Sequence, residues 1–288
     1  MSKAAAKTGS EPAVLVAAEQ FFPENERILN DSLSYRFLPA NTKLFINIFK
    51  FKFFRNQIIK LSEKYGAGLW GGLLCRKRYI DEKLIQYSDN FDAVVNLGAG
   101  LDTRLYRLPA LSGIPSWELD QKENISTKEK AVYKVFHSVP EHIKLAAIDF
   151  DRENIRDVLK NNGFSRKMTV FFIWEAVTQY LTKDGIEKTF DFLSEAKSGS
   201  LLTFTYVHRK FIDGLNMYNL EHVYKRFVKS NIWIFGMEPE EWSGYLKKYG
   251  WKVIEDMDYS MLAEKYIKPA KRKLLETQVE RVIFAIKT

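Results

Sequence analysis

The chain has 288 residues, 46% of them hydrophobic and 28% charged, with a formal net charge of +8. That apolar share supplies a substantial core and excludes a disordered, collagenous or repetitive chain. One cysteine, Cys75, excludes an internal disulfide and argues against a zinc cluster, so no metal site is expected.

Residues 1–12 are small and polar, without the apolar stretch of a signal peptide. No run of about 18 apolar residues predicts a transmembrane segment. With the lone cysteine, these features lead to a cytoplasmic expectation. The basic residues are dispersed, with small clusters at Arg76-Lys77-Arg78 and residues 268–273. A solvated face accounts for this balance, and no nucleic-acid partner is expected.

In chain order, residues 13–90 read as a helical cap. Residues 13–22 are Ala-rich, and Asn41-Thr42 offers an N-cap for one helix over 43–65. That helix carries Phe45, Phe49, Phe51, Phe53 and Phe54 and stops at Gly66. A further helix follows the loop 66–72 and runs to Gln86. Strands are then expected at 93–97, 116–120, 145–149, 169–174 and 200–207, with helices at 121–134, 152–161 and 183–197 between them. This alternation predicts a Rossmann-like, mostly parallel α/β sheet. Residues 216–230 read as an amphipathic helix within an inserted lid, 210–235. A helix over 238–249 starts at Pro239. Strands at 251–257 and 280–287 then form an antiparallel, hairpin-like end. No linker divides the chain, so 1–288 reads as one domain.

The first strand runs into Gly98-Ala99-Gly100, where the lack of a Cβ lets a ligand approach the backbone. In such sheets ligands sit beyond the carboxyl ends of the strands. Asp120 ends the second strand about twenty residues later, where a carboxylate can accept ribose hydroxyls or cap the next helix. Asp149-Phe150 ends the third strand, placed for an adenine amino group and ring, or again for a cap. Glu175 follows the fourth strand and could bind an ammonium group, or be a surface residue.

The string from Leu97 to Leu108, LGAGLDTRLYRL, resembles the signature of the leucine carboxyl methyltransferase family, which includes polyketide O-methyltransferases of the tetracenomycin type. The resemblance extends to Arg78-Tyr79-Ile80-Asp81, to Glu118-Leu119-Asp120 followed by Lys128, to Asp149-Phe150, to Trp174 through Thr182, and to Ser198-Gly199-Ser200. It implies a class I methyltransferase fold and S-adenosyl-L-methionine as cofactor. By the same resemblance Arg78 pairs with the methionine carboxylate, and Gly98, Ala99 and Gly100 pack on the methionine and ribose. Asp120 holds the ribose, Asp149 and Phe150 the adenine, and Glu175 the amino group. The chain departs from the family in having Glu175-Ala176 for Glu-Gly and Asp149-Phe150 for Asp-Leu.

Methyl transfer from a sulfonium requires an oxygen nucleophile held in line in a dry site. A carboxylate is already ionised, whereas a phenol needs a base. Tyr206 and His208, at the end of the fifth strand, are the candidate catalytic groups. Tyr180, Tyr218 and Trp233 are candidates for the acceptor pocket. The expected partner is a small aromatic or carboxylic-acid metabolite, methylated on oxygen. A protein terminus is the alternative acceptor, and a non-catalytic adenosine- or nucleic-acid-binding module the third reading. The acceptor's identity and the oligomeric state stay open.

Overall fold

The structure, a computed structural model, describes residues 11–275 and 277–288. The expected tail at 1–10 therefore lies outside the described residues.

Helix α1 (Glu11–Glu19) opens the chain, followed by α2 (Ser32–Phe37) and α3 (Ala40–Ile46). A 3-10 turn, Asn47–Lys50, and extended Phe51 separate α3 from α4 (Lys52–Tyr65). The single helix expected over 43–65 is thus two. The Asn41-Thr42 cap is not used, because α3 already begins behind Pro39. Helix α5 (Leu69–Gln86) completes the cap and leads to β1 (Ala93–Leu97).

The α/β core then alternates α6 (Arg104–Arg107), β2 (Ser116–Asp120), α7 (Lys122–Phe136), β3 (Ile143–Ala147), α8 (Ile155–Asn161), β4 (Val170–Trp174), α9 (Lys183–Ser194) and β5 (Leu201–Val207). β3 starts and ends two residues earlier than the sequence suggests. Asp149-Phe150 therefore lies in the loop beyond the strand.

After β5 come α10 (Arg209–Ile212), α11 (Glu221–Val223) and a π-helical turn, Tyr224–Val228. The helix expected over 216–230 is reduced to this shorter pair. The chain ends with α12 (Pro239–Lys248), β6 (Trp251–Met257), α13 (Tyr259–Tyr266) and β7 (Glu280–Lys287).

The strands form one seven-stranded sheet in the order β3-β2-β1-β4-β5-β7-β6. β1 to β5 are parallel, and β7 runs antiparallel between β5 and β6. Alternating side chains feed two cores, as the period of two requires. Val94, Phe171 and Ile173 face the helices of the cap. Val95, Leu97, Phe172 and Trp174 face α8, α9 and α12. A third cluster joins Val207 and Phe211 to Leu220, Val223 and Phe227 of the inserted segment. The strand order reverses direction at β1 and β4, and a cavity lies beyond their carboxyl ends.

Candidate functional site

The turn after β1 forms the cavity floor. Gly98 adopts φ +81°, and a Cβ there would lie 2.2 Å from Val177 Cγ2. Backbone sign and the Val177 contact both demand glycine. The Gly98 and Ala99 amides donate to the Leu119 carbonyl at 2.7 and 3.1 Å, tying the turn to β2.

Asp120 lines the same cavity. Its carboxylate accepts from the Gly100 amide at 2.6 Å, the Gln121 amide at 2.6 Å and Asn124 Nδ2 at 2.8 Å. Burial pushes this carboxyl up, and the Asn124, Gly100 and Gln121 hydrogen bonds oppose the shift. The N-cap of α7 is Gln121, so Asp120 braces the glycine turn rather than serving as the cap residue.

Glu175 enters from the end of β4 and is almost completely buried among cations. It accepts from Arg76 Nε at 2.9 Å and from Arg104 at 2.7 Å, and Lys77 Nζ lies 3.3 Å away. Burial raises its pKa, but the fields of Lys77, Arg104 and Arg76 win and hold it at about 2. Asp102 also pairs with Arg104 and is held below the usual carboxylate range: burial raises it, and Arg104, Lys77 and Lys128 outweigh that effect. Arg104 also reaches Asp81 at 2.7 Å, and Arg76 pairs with Glu280.

Ala176, next in the chain, has φ +57°, in the left-handed region. Its amide donates to Thr205 Oγ1 at 2.8 Å. The glycine usual in the resembled family suits this conformation, and alanine occupies it here at a cost of about 1–2 kcal/mol.

A second cavity of about 190 Å³ adjoins the first. Leu69, Leu73, Val223, Phe227, Trp233 and Leu262 supply its apolar wall. Pro12, Arg76, Ala176 and Tyr180 border both cavities. On α5, Leu69, Gly72, Leu73 and Arg76 follow i, i+3, i+4, i+7 spacing, so one helix face serves this wall.

The structure brings Gly98, Ala99, Gly100, Asp120, Glu175 and Tyr180 together around the first cavity, and Trp233 into the wall of the second. It does not bring the others in. Arg78 points away: its Nε meets Glu82 at 3.2 Å, another guanidinium nitrogen donates to the Ile28 carbonyl at 3.1 Å, and it lies over the Tyr266 ring. Residues two positions apart on an α-helix are separated by about 200° of rotation, so Arg76 faces the cavity when Arg78 cannot.

Asp149 instead lines a surface groove with Gln121 and Ile148, just past Asp120. Its Oδ1 accepts from the Asp151 amide at 3.1 Å. Phe150 is buried in the core behind the sheet. Phe150 lines neither the first cavity nor this groove.

Tyr206 is buried, and its hydroxyl donates to Asp256 Oδ2 at 2.9 Å. Burial and the Asp256 charge raise its pKa, so the phenol stays protonated and is not available as a base. His208 lies 3.4 Å from Glu238 and outside both cavities, with the Tyr218 ring tilted against it at 5.4 Å between ring centroids. Neither expected catalytic group, nor Tyr218, reaches the cavities.

Arg76, Lys77, Asp102 and Arg104 are the site residues that sequence reasoning missed. The signal for Arg76 was the α5 stripe beginning at Leu69. Asp102 and Arg104 lay within the motif itself.

The fold and this site define the Rossmann-like sheet of class I methyltransferases. A family model described as leucine carboxyl methyltransferase matches residues 11–194, so the chain belongs to that family. A protein of Mycobacterium sp. (strain KMS), provisionally named an S-adenosyl-L-methionine-dependent methyltransferase, is 32% identical over 116 residues, 40% of this chain and 38% of the relative. One of the same provisional name from Mycobacteroides abscessus is 27% identical over 187 residues, 63% of this chain and 62% of that protein. The match thus spans from about two-fifths to three-fifths of these relatives' lengths. The fold resembles a DUF574 family protein of Streptomyces avermitilis, with TM-score 0.57 at 13% identity over 80% of this chain and 88% of that one. A provisionally named methyltransferase of Thermobifida fusca gives TM-score 0.56 at 12% identity, covering 80% and 86%.

Proposed function

We infer that the chain is an S-adenosyl-L-methionine-dependent methyltransferase acting on an oxygen of a small, largely apolar acceptor. The observation that carries this reading is the junction of the two cavities at Arg76, Ala176 and Tyr180, where a polar, charge-lined chamber meets an aromatic one.

The residues fit the cofactor. Asn96, in the wall of the first cavity, holds a buried amide nitrogen without a partner in the protein. The glycine turn leaves the backbone open. Arg76 and Lys77 suit the carboxylate of the amino-acid end, an arginine fork being the better match. Glu175 and Asp102 suit its ammonium. Asp120 retains acceptor capacity for one ribose hydroxyl, since a carboxylate offers about four lone-pair sites and three are taken. The groove lined by Gln121, Ile148 and Asp149, beginning one residue beyond Asp120, would take the adenine ring. Once bound, S-adenosyl-L-methionine supplies a methyl group on a sulfonium whose departure leaves a neutral thioether.

The chain's part is placement and exclusion of water. The 210–235 segment acts as a lid through Val223, Phe227 and Trp233, residues 13–90 act as a cap, and the whole is one functional unit. Tyr180 edges against Trp233, with ring centroids 6.3 Å apart, and borders both cavities. With Tyr206 and His208 outside, an acceptor that is already ionised fits best, because no expected base reaches it. A carboxylate, or a phenol of lowered pKa, meets that condition with Arg76 beside it.

Calorimetry with S-adenosyl-L-methionine and S-adenosylhomocysteine tests the first step. Transfer of labelled methyl to a panel of aromatic carboxylic acids, phenols and peptides ending in a free carboxylate tests the second. Turnover of aromatic acids or phenols supports the reading. Turnover confined to the peptides moves the chain to carboxyl methylation of a protein terminus. No binding of either ligand overturns it.

A further inference from the structure

Helix α4 is built inside out. Its inward face carries Arg55, Ile59 and Glu63 at i, i+4, i+8, all buried. Arg55 donates to the Phe21 and Phe49 carbonyls at 2.7 and 3.3 Å, and Glu63 accepts from the Gly68 and Leu275 amides at 3.0 and 3.1 Å. The outward face and the turn before it carry the large apolar side chains. Phe51 is 63% exposed, Phe53 67% and Phe54 46%, with Leu61 and Tyr65 also exposed. Phe54 meets Phe53 at 5.5 Å and Phe51 at 6.3 Å between ring centroids, so the three form one cluster. On α3, Leu44 and Phe45 are exposed as well. Scattered apolar residues need no explanation, but a clustered aromatic face with its polar face turned inward does.

The charge around the cluster selects its occupant. Lys50, Lys52, Lys60 and Lys64 are exposed beside it. The one acidic side chain in the segment 41–65 is Glu63, which is buried and occupied. A symmetric pairing of two such faces would set lysine against lysine. An anionic bilayer surface answers both features: aromatic rings enter the boundary between headgroups and chains, and lysines pair with acidic headgroups. Among the described residues no helix is long and apolar enough to cross a membrane, so contact of this kind is lateral.

We propose that the Phe51-Phe53-Phe54 cluster with its surrounding lysines docks the protein on anionic phospholipid surfaces. The cluster lies near the lid: Tyr65, at the end of α4, packs against His222 of α11 at 5.2 Å between ring centroids. Three and four residues further along the chain, Gly68 and Leu69 line the apolar cavity.

Co-sedimentation of the full chain with phosphatidylcholine vesicles, with and without phosphatidylserine, tests this. Binding to the phosphatidylserine vesicles is expected to be about tenfold or more stronger and to fall with added salt. The variant Phe51→Ser, Phe53→Ser, Phe54→Ser should lose it, as should Lys50→Glu, Lys52→Glu, Lys60→Glu, with both variants melting as the parent does. The parent comparison decides alone if a variant fails to fold. Equal, weak binding to both vesicles overturns the proposal, as does undiminished binding by the folded variants. A dimer in solution that the phenylalanine variant dissociates, without vesicle binding, would assign the face to a second copy of the chain.

Discussion

Two buried carboxylates from strands that flank β1, one on β2 and one just past β4, meet cations in opposite ways. Glu118, on β2, pairs with Lys128 of α7, both wholly buried, and accepts from the Tyr106 hydroxyl at 2.8 Å. Glu175, after β4, is shared by Arg76, Lys77 and Arg104 at a cavity wall. Burial raises the Glu118 carboxyl even with Lys128 beside it, whereas the three cations around Glu175 outweigh burial and bring it to about 2. A one-to-one pair sealed from solvent is a folding element. A carboxylate with surplus cations at an open wall can exchange partners with a charged ligand.

The sharpest test of that contrast is Lys128→Ala. It strands a buried carboxylate and should cost about 3–5 kcal/mol of stability. Glu118→Gln with Lys128→Met should recover most of this while keeping an acceptor for Tyr106. Denaturant melts measure both, and a loss below about 1 kcal/mol for Lys128→Ala would erase the distinction. Arg76→Ala should act on the ligand instead. S-adenosylhomocysteine affinity should fall about 10–100-fold, the range of a charge-assisted hydrogen bond, while methylthioadenosine, which lacks the amino-acid end, changes little. Arg78→Ala should leave both affinities within about twofold, its ion pair with Glu82 being half exposed. Loss through Arg78 and not Arg76 would return the anchor to Arg78.

Asp120→Ala should weaken both adenosine ligands alike, by about tenfold or more, because it removes a ribose acceptor rather than the amino-acid contact. The smallest effect is expected from Ala176→Gly. Relief of the left-handed strain, less the added freedom of glycine when unfolded, should stabilise by about 0.5–1 kcal/mol and raise the melting temperature by about 1–3 °C.

The α/β alternation, the parallel sheet, the antiparallel end and the Gly98–Gly100 turn were legible because each rests on local chemistry: a strand-length apolar run, a glycine pair, a capped helix. What the sequence hid depends on rotation and register. Arg76 and Arg78 are equally basic, and only the phase of α5 separates them. Asp149 needed a strand end that falls two residues sooner. His208 and Tyr206 sit where a base is wanted along the chain, but Glu238 and Asp256 hold them outside. For α4 the pattern itself misleads, since its aromatics suggest packing while its buried face is Arg55 and Glu63.

The position of β7 carries one more consequence. It lies between β5 and β6, yet it is made after both. β6 therefore has no neighbour in the sheet, among the described residues, until β7 has left the ribosome, and Arg76 waits as long for Glu280. Pairing across that distance in sequence is slow because the loop must close before its contacts stabilise anything. The nascent chain thus completes its first five strands with an open edge, and the arrival of β7 both joins β5 to β6 and adds Glu280 to Val282 to the wall of the apolar chamber.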